Sequence, residues 1–124
     1  MKKILIVDDS PQWISTHQFA LQYHLGKSLN LDIANSAKQA YKCILENKSE
    51  PYDVIITDME MEDDFSPLFA GEWLLQQIKS LKEYSNTKIY IASSVDNIEE
   101  IAKKYNVNFL PKDNCEDITS YDIF

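Results

Sequence analysis

Carboxylates, a hydroxyl and an ammonium group follow several short apolar runs of this sequence. Asp8 and Asp9 come directly after ILIV, and Asp58 comes after VIIT. Ser93 follows KIYIA, and Lys112 follows NFLP. If these runs are strands of one parallel sheet, their carboxyl ends meet at one edge, where ligands bind in open α/β sheets. The sequence therefore predicts a site with three carboxylates, a hydroxyl and an ammonium group.

Three carboxylates held together predict a bound cation. Two carboxylates about 4 Å apart repel by roughly 4 kcal/mol at an effective dielectric constant of about 20. Oxygen ligands favour Mg²⁺ or a similar hard ion over zinc. Mg²⁺ usually takes one or two carboxylates plus a phosphate oxygen, which leaves one carboxylate to act as a nucleophile. An aspartyl phosphate is the expected product.

The apolar runs have the near-continuous apolar character of strands that are buried on both faces. The segments between them have helical length and apolar periodicity, and Ser10, Pro11 and Ser36 provide helix starts. This alternation predicts an α/β doubly wound domain, with one parallel sheet covered by helices on both faces. The predicted strands are residues 3–7, 31–34, 53–57, 88–92 and 107–110, and a short last helix is predicted over 115–123.

Composition narrows the possible functions. The chain has 124 residues, 44% of them hydrophobic, which suits one compact domain. Its formal net charge of -8 repels phosphate backbones and argues against nucleic acid as a partner. Cys43 and Cys115 lack metal-ligand spacing, so reduced thiols are expected. The apolar run at residues 4–7 is too short for a signal peptide or a membrane span, so we expect a cytoplasmic protein without membrane contact.

The segments ILIVDDS, YDVIITDMEM, IYIASS and NFLPK resemble, in this order, the signature segments of the receiver domain of bacterial two-component response regulators. The resemblance spans nearly the whole chain and implies a stand-alone receiver domain over residues 1–124 without an output domain. It implies the flavodoxin-like (βα)5 fold with strand order 2-1-3-4-5. It also implies a sensor histidine kinase or phosphotransfer protein as phosphodonor, and a downstream protein target or a homodimer as output. Such a protein is no enzyme beyond its own phosphorylation and dephosphorylation.

The resemblance also implies roles for single residues. Asp58 would be the phosphoacceptor, and Asp8 and Asp9 would bind Mg²⁺ together with it. The backbone carbonyl of Glu60 would be a further metal ligand. Ser93 would supply the hydroxyl group of the switch, and Phe109 would be its aromatic residue. The ammonium group of Lys112 would neutralise the charge of the phosphate.

The loop after the phosphoacceptor departs from the family pattern. Glu62 stands where the family often has proline, and Gly71 comes late. An insertion of about five residues is implied, of a kind that such loops tolerate. The resulting loop over residues 59–70 is longer than is usual after a strand in such folds, which is often a sign of function. Asn106 stands where the family often has glycine, and asparagine is the next best residue for a left-handed turn.

Two alternatives stay open. Pro111 precedes Lys112, whereas the family commonly has proline after this lysine; together with the long loop, this order keeps open an interaction module that does not depend on phosphorylation. Haloacid dehalogenase-type phosphatases also phosphorylate an aspartate with Mg²⁺. Their first strand carries a DxDx(T/V) motif, however, and this chain has DDSP there.

Histidines and tryptophans have a structural interpretation. His17 and His24 could share a helix face as a metal-binding pair or a phosphate relay, but we expect ordinary surface or interface histidines. Trp13 and Trp73 are expected to pack against the core.

Overall fold

A computed structural model of the protein describes residues 2–59, 70–93 and 98–111. Within this part of the chain, five strands and four α-helices alternate as predicted, and each strand lies within two residues of its predicted bounds. The helix predicted over 115–123 lies outside the described residues. The elements are β1 (Lys2–Val7), α1 (Pro11–Leu25), β2 (Leu29–Ala34), α2 (Ala37–Glu46), β3 (Val54–Thr57), α3 (Ala70–Lys79), β4 (Lys88–Ser93), α4 (Ile98–Tyr105) and β5 (Asn108–Pro111), with 3₁₀ turns at Gly26–Ser28 and Lys82–Tyr84.

The five strands form one sheet in the order β2-β1-β3-β4-β5, and every neighbouring pair is parallel. This confirms the flavodoxin-like fold and the order 2-1-3-4-5. The central strand β1 ends at Val7, which lies opposite Ala34 of β2 and Thr57 of β3. The residues that follow β1 and β3 therefore leave the sheet side by side.

The sheet is covered on both faces, as the apolar runs predict. Alternate residues of each central strand point to opposite faces, and they fall into two buried clusters. Leu5, Ile55 and Ile91 belong to the cluster that also contains residues of α2, α3 and α4. Ile4 and Ile56 belong to the other cluster, which α1 covers. Among the described helices, none is long and apolar enough to cross a membrane.

Serine caps start the two helices that follow β1 and β2. The Ser10 hydroxyl accepts a hydrogen bond from Trp13 N (3.4 Å), and Pro11 occupies the first helical position. The Ser36 hydroxyl accepts from Gln39 N (3.1 Å). Each cap satisfies a backbone N–H group that would otherwise have no partner in the first turn. Both caps were predicted from the sequence.

Helix α1 buries a histidine that we expected at the surface. His17 is 1% exposed, and its ring lies 6.2 Å from that of Trp13, tilted by 32°. The expectation was wrong for His17 because this residue lies on the inner face of α1 with Ala20 and Leu21. The packing role expected for the tryptophans holds: Trp13 packs against the α1-side cluster, and Trp73 packs against the other cluster.

The turn after α4 uses the asparagine that the sequence singled out. Asn106 has a φ of 54°, in the left-handed region that asparagine tolerates better than most residues. Val107 N donates to Ala102 O (2.9 Å) and closes the helix end. The chain then enters β5 without a glycine.

Candidate functional site

The backbone fixes two aspartates at the carboxyl edge of the sheet. Asp8 N donates to Ala34 O (3.1 Å), and Asp58 N donates to Val7 O (2.9 Å). Each aspartate thus extends the hydrogen bonding of its strand to the neighbouring strand by one residue. Both side chains start from rigid elements, which is what a precise site needs.

The structure brings three carboxylates together at this edge. One carboxylate oxygen from each of Asp8, Asp9 and Asp58 lies within 4.8 Å of the others. Asp8 is 1% exposed and Asp58 is 6% exposed, whereas Asp9 faces solvent. Burial strengthens the mutual repulsion of such charges, because less water screens them. The arrangement is therefore suited to a bound cation.

The donor set fits a hard divalent ion. All three side chains offer oxygen atoms, and Mg²⁺ and Mn²⁺ prefer oxygen ligands while zinc in proteins is usually held by nitrogen or sulfur. Two of the three come from consecutive residues and the third from the adjacent strand. Glu60, whose carbonyl was predicted as a further ligand, lies outside the described residues.

Backbone N–H groups orient two of the carboxylates. Asp58 Oδ1 accepts a hydrogen bond from Met59 N (2.8 Å), and Asp8 Oδ1 accepts from Ser10 N (2.9 Å). Hydrogen bonds from backbone amides hold these carboxylates in one rotamer. An oriented carboxylate is what both metal binding and nucleophilic attack require.

Gly71 packs directly against the backbone of Asp58. A Cβ atom added to Gly71 would lie 2.2 Å from Asp58 O and 2.7 Å from Met59 Cα, so a side chain does not fit there. Gly71 N also donates to Met59 O (3.1 Å). Met59 and Gly71 therefore lie next to each other beside Asp58. Sequence reasoning noted the late position of this glycine but missed the contact.

The other predicted site residues belong to β4 and β5 or come directly after β5 in the sequence. Ser93 ends β4 opposite Pro111 of β5, and the described structure covers only its backbone. Lys112 comes next in the chain after Pro111 and lies outside the described residues. Phe109 lies in β5 opposite Ile91 and is 37% exposed. The backbone thus directs β4 and β5 toward the same edge as the three carboxylates.

Comparison with models of known protein families finds a match over most of the chain. The family model described as response regulator receiver domain matches residues 4–118. No curated protein sequence matches the chain at a significant level.

Solved structures share the fold. The chemotaxis response regulator CheY4 of Vibrio cholerae has 23% sequence identity and a TM-score of 0.75, over 96% of this chain and 93% of that chain. The phosphorylated cyanobacterial phytochrome response regulator RcpA has 18% identity and a TM-score of 0.78, over 98% and 94%. The Mn²⁺-bound form of response regulator Rcp1 has 18% identity and a TM-score of 0.76, over 100% and 94%. At these identities the likeness shows the fold alone.

Proposed function

The chain belongs to the response regulator receiver domain family, and on this premise we propose that it accepts a phosphoryl group on Asp58 from a sensor histidine kinase or phosphotransfer protein. The observation that carries the proposal is the position of Asp58. Its carboxylate is nearly buried and lies within 4.8 Å of those of Asp8 and Asp9. A carboxylate with a purely structural role is not expected so close to two others at a strand end, because the like charges repel each other.

We assign Asp8 and Asp9 as the residues that hold Mg²⁺, with Asp58 and the backbone carbonyl of Glu60 completing the protein ligands. When bound, Mg²⁺ neutralises the carboxylates and stabilises the charge that builds up on the phosphoryl oxygens. The Mn²⁺ of the Rcp1 structure supports a divalent ion in a receiver domain of this fold. The family's chemistry is thus compatible with the oxygen donors present here.

The transfer step uses a carboxylate oxygen of Asp58 as nucleophile. The oxygen attacks the phosphorus atom of a phosphohistidine, a new O–P bond forms, and the N–P bond breaks. The electron pair of that bond returns to the imidazole, which takes up a proton. Met59 N–H holds the attacking carboxylate in place, so less orientational freedom is lost in the transition state. We assign the Lys112 ammonium as the group that neutralises the arriving phosphate.

The output is a change of the surface formed by α4 and β5. We propose that the Ser93 hydroxyl donates to a phosphate oxygen and that Phe109 then turns inward from its present half-exposed position. Burying a fully exposed aromatic side chain is worth roughly 1.5–3 kcal/mol. Because Phe109 is 37% exposed, burying the rest of it is worth about 0.6–1.1 kcal/mol, which corresponds to an affinity change of about threefold to sixfold. A partner protein, or a second copy, can then distinguish the two states.

Intact mass spectrometry tests the phosphorylation. The protein is incubated with acetyl phosphate and Mg²⁺, and we expect addition of one phosphoryl group, which EDTA and Asp58→Asn both abolish. Asp53→Asn is the matched control, because Asp53 precedes the same strand at its other end and accepts a hydrogen bond from Lys3 N. An unchanged mass of the wild-type protein would leave only the interaction module that acts without phosphorylation. Labelling that survives Asp58→Asn would place the phosphoacceptor elsewhere.

A further inference from the structure

The connection between β1 and α1 contains two of the three carboxylates of the site. It consists of residues 8–10 only. Asp8 N donates to Ala34 O (3.1 Å), which ties the first residue of the connection to the sheet. Asp9 follows, and Ser10 is the last residue before the helix. The positions of both aspartates therefore depend on how Ser10 is held.

Ser10 makes three hydrogen bonds, two to α1 and one to Asp8. Its hydroxyl accepts from Trp13 N (3.4 Å), and its carbonyl accepts from Ile14 N (3.0 Å). Its own N–H group donates to Asp8 Oδ1 (2.9 Å). One residue thus links the first turn of α1 to a carboxylate of the site.

The start of α2 uses a different arrangement. The Ser36 hydroxyl accepts from Gln39 N (3.1 Å), and Gln39 Oε1 reaches back to accept from Asn35 N (2.6 Å). This resembles the capping box, in which a Gln or Glu at the third helical position takes up an N–H group at the start of the helix. The side chain that completes this cap belongs to α2 itself.

In α1 the third helical position cannot complete the cap in this way. It holds Trp13, whose indole is a donor and offers no acceptor. The acceptor at this helix start is the carboxylate of Asp8, which is 1% exposed, so water is a poor substitute for this hydrogen bond. The start of α1 and the carboxylate site are therefore joined through the N–H group of Ser10.

We propose that Ser10 is a positioning residue for the Mg²⁺ site. By capping α1, its hydroxyl fixes the Ser10 backbone, and the Ser10 N–H group keeps the Asp8 carboxylate in one rotamer. Mutation of residues that orient metal ligands typically weakens metal binding 10–100-fold. The Ser10 hydroxyl acts one step further away, so its loss should weaken binding by about threefold to tenfold. This role of Ser10 rests on the proposed function, because it requires that Asp8 and Asp9 hold the ion.

Isothermal titration calorimetry of the unphosphorylated full chain with Mg²⁺ tests this role. Ser10→Ala removes the capping hydroxyl and should raise the dissociation constant by about threefold to tenfold. Ser10→Thr keeps a capping hydroxyl and should bind Mg²⁺ nearly as tightly as the wild-type protein. Ser36→Ala is the matched control, because it removes the capping hydroxyl of the next helix and should leave the dissociation constant unchanged.

Ser10→Gly separates the positioning of Asp8 from the stability of the helix. Glycine is far better than alanine at a helix start, so this variant should unfold at nearly the same urea concentration as the wild-type protein. It lacks the hydroxyl and has a freer backbone, so its Mg²⁺ binding should still be weakened by about threefold to tenfold.

The outcomes distinguish this role from the proposed function. If the wild-type protein binds Mg²⁺ and Ser10→Gly binds it equally well, the hydroxyl only stabilises the helix and the positioning role is overturned. An equal loss of affinity in Ser36→Ala, or a Ser10→Thr that binds as poorly as Ser10→Ala, would overturn it as well. If the wild-type protein itself binds no Mg²⁺, the proposed function fails, and the role of Ser10 fails with it.

Discussion

Gly71 is the residue on which the placement of Asp58 depends most directly. Because Gly71 has no side chain, α3 can start immediately beside the backbone of Asp58, the proposed phosphoacceptor. The other described glycine, Gly26, is needed for a different reason. It adopts a φ of 53° with nothing within 4 Å of an added Cβ atom. Gly71 is therefore needed because a side chain would not fit beside Asp58, and Gly26 is needed because its backbone has a positive φ.

Gly71→Ala should damage both the fold and the site. The added methyl group would overlap the Asp58 carbonyl at 2.2 Å, so the start of α3 or the end of β3 must shift. We expect a loss of about 1–3 kcal/mol in the free energy of unfolding, measured by urea denaturation. The rate of phosphorylation by acetyl phosphate should fall as well, because a shift of the Asp58 backbone moves its carboxylate.

Gly26→Ala is the control for this substitution. It strains a positive φ and should also lower stability, by about 1 kcal/mol. Its phosphorylation rate should stay at the wild-type value, because Gly26 lies in the turn after α1, away from the three carboxylates. Equal phosphorylation rates for the two variants would show that the Gly71 contact does not position Asp58.

At the scale of the elements, side chains bridge α3 and α4. Tyr105 OH donates to Glu72 Oε2 (3.0 Å), and Gln76 Nε2 donates to Tyr105 OH (3.2 Å). Lys104 Nζ adds a longer contact of 3.9 Å to Glu72 Oε2. Glu72 comes directly after Gly71, so the bridge begins one residue from the contact with Asp58. A shift of Asp58 can thus reach α4 through the start of α3.

Tyr105→Phe tests this bridge. Removing the hydroxyl leaves the Glu72 carboxylate, whose side chain is 12% exposed, without its short hydrogen bond. We expect the free energy of unfolding to fall by about 1.5–2 kcal/mol. Lys104→Gln should lower it by less than about 1 kcal/mol, because this lysine side chain is 64% exposed. If the two losses are equal, or if Tyr105→Phe changes nothing, the hydroxyl does not hold the two helices together.

Local patterns made the elements predictable. The apolar runs gave the strands, Ser10 and Ser36 gave two helix starts, and Asn106 gave a left-handed turn. Each of these depends on residues close together in the sequence, where propensity and capping act. The order of the strands came from the family resemblance, since propensity does not decide which strands become neighbours.

Contacts between distant residues were not predictable in this way. Tyr105 and Glu72 are 33 positions apart, and the Gly71 contact depends on how α3 docks against β3. His17 is buried because of the angle at which α1 is rotated about its own axis. The sequence of α1 is only weakly amphipathic, so it does not fix this angle. In the site, the grouping of Asp8, Asp9 and Asp58 followed from strand ends meeting at one edge. The placement of Glu60 and Lys112 stays a prediction.

At the scale of the whole molecule, buried tyrosines outside the strands and α-helices connect distant parts of the chain. Tyr84 is 3% exposed and its hydroxyl donates to Ile44 O of α2 (2.7 Å). Tyr52 is 1% exposed and its hydroxyl donates to Asp32 Oδ2 of β2 (2.7 Å). Burial raises the pKa of Tyr84 to about 12. Burial and the hydrogen bond to Asp32 also raise the pKa of Tyr52. Both hydroxyls must stay protonated for these contacts to persist.

These tyrosines predict the loss of stability at high pH. A phenol whose pKa is raised by folding binds its proton more tightly in the folded state than in the unfolded chain, where the pKa is about 10. Its contribution is complete below pH 10 and is lost as the pH rises toward the folded pKa, which for Tyr84 is about 12. Urea denaturation at successive pH values should show the free energy of unfolding falling between about pH 10 and pH 12.

Tyr84→Phe tests the contribution of one tyrosine. In this variant the decline should be shallower, because one of the groups no longer titrates. The variant is less stable than the wild-type protein at neutral pH, because it lacks the hydrogen bond to Ile44. Deprotonation of lysines in the same range affects both proteins alike, so the difference between the two curves isolates the tyrosine. Parallel curves would mean that Tyr84 ionises equally readily in the folded and unfolded protein.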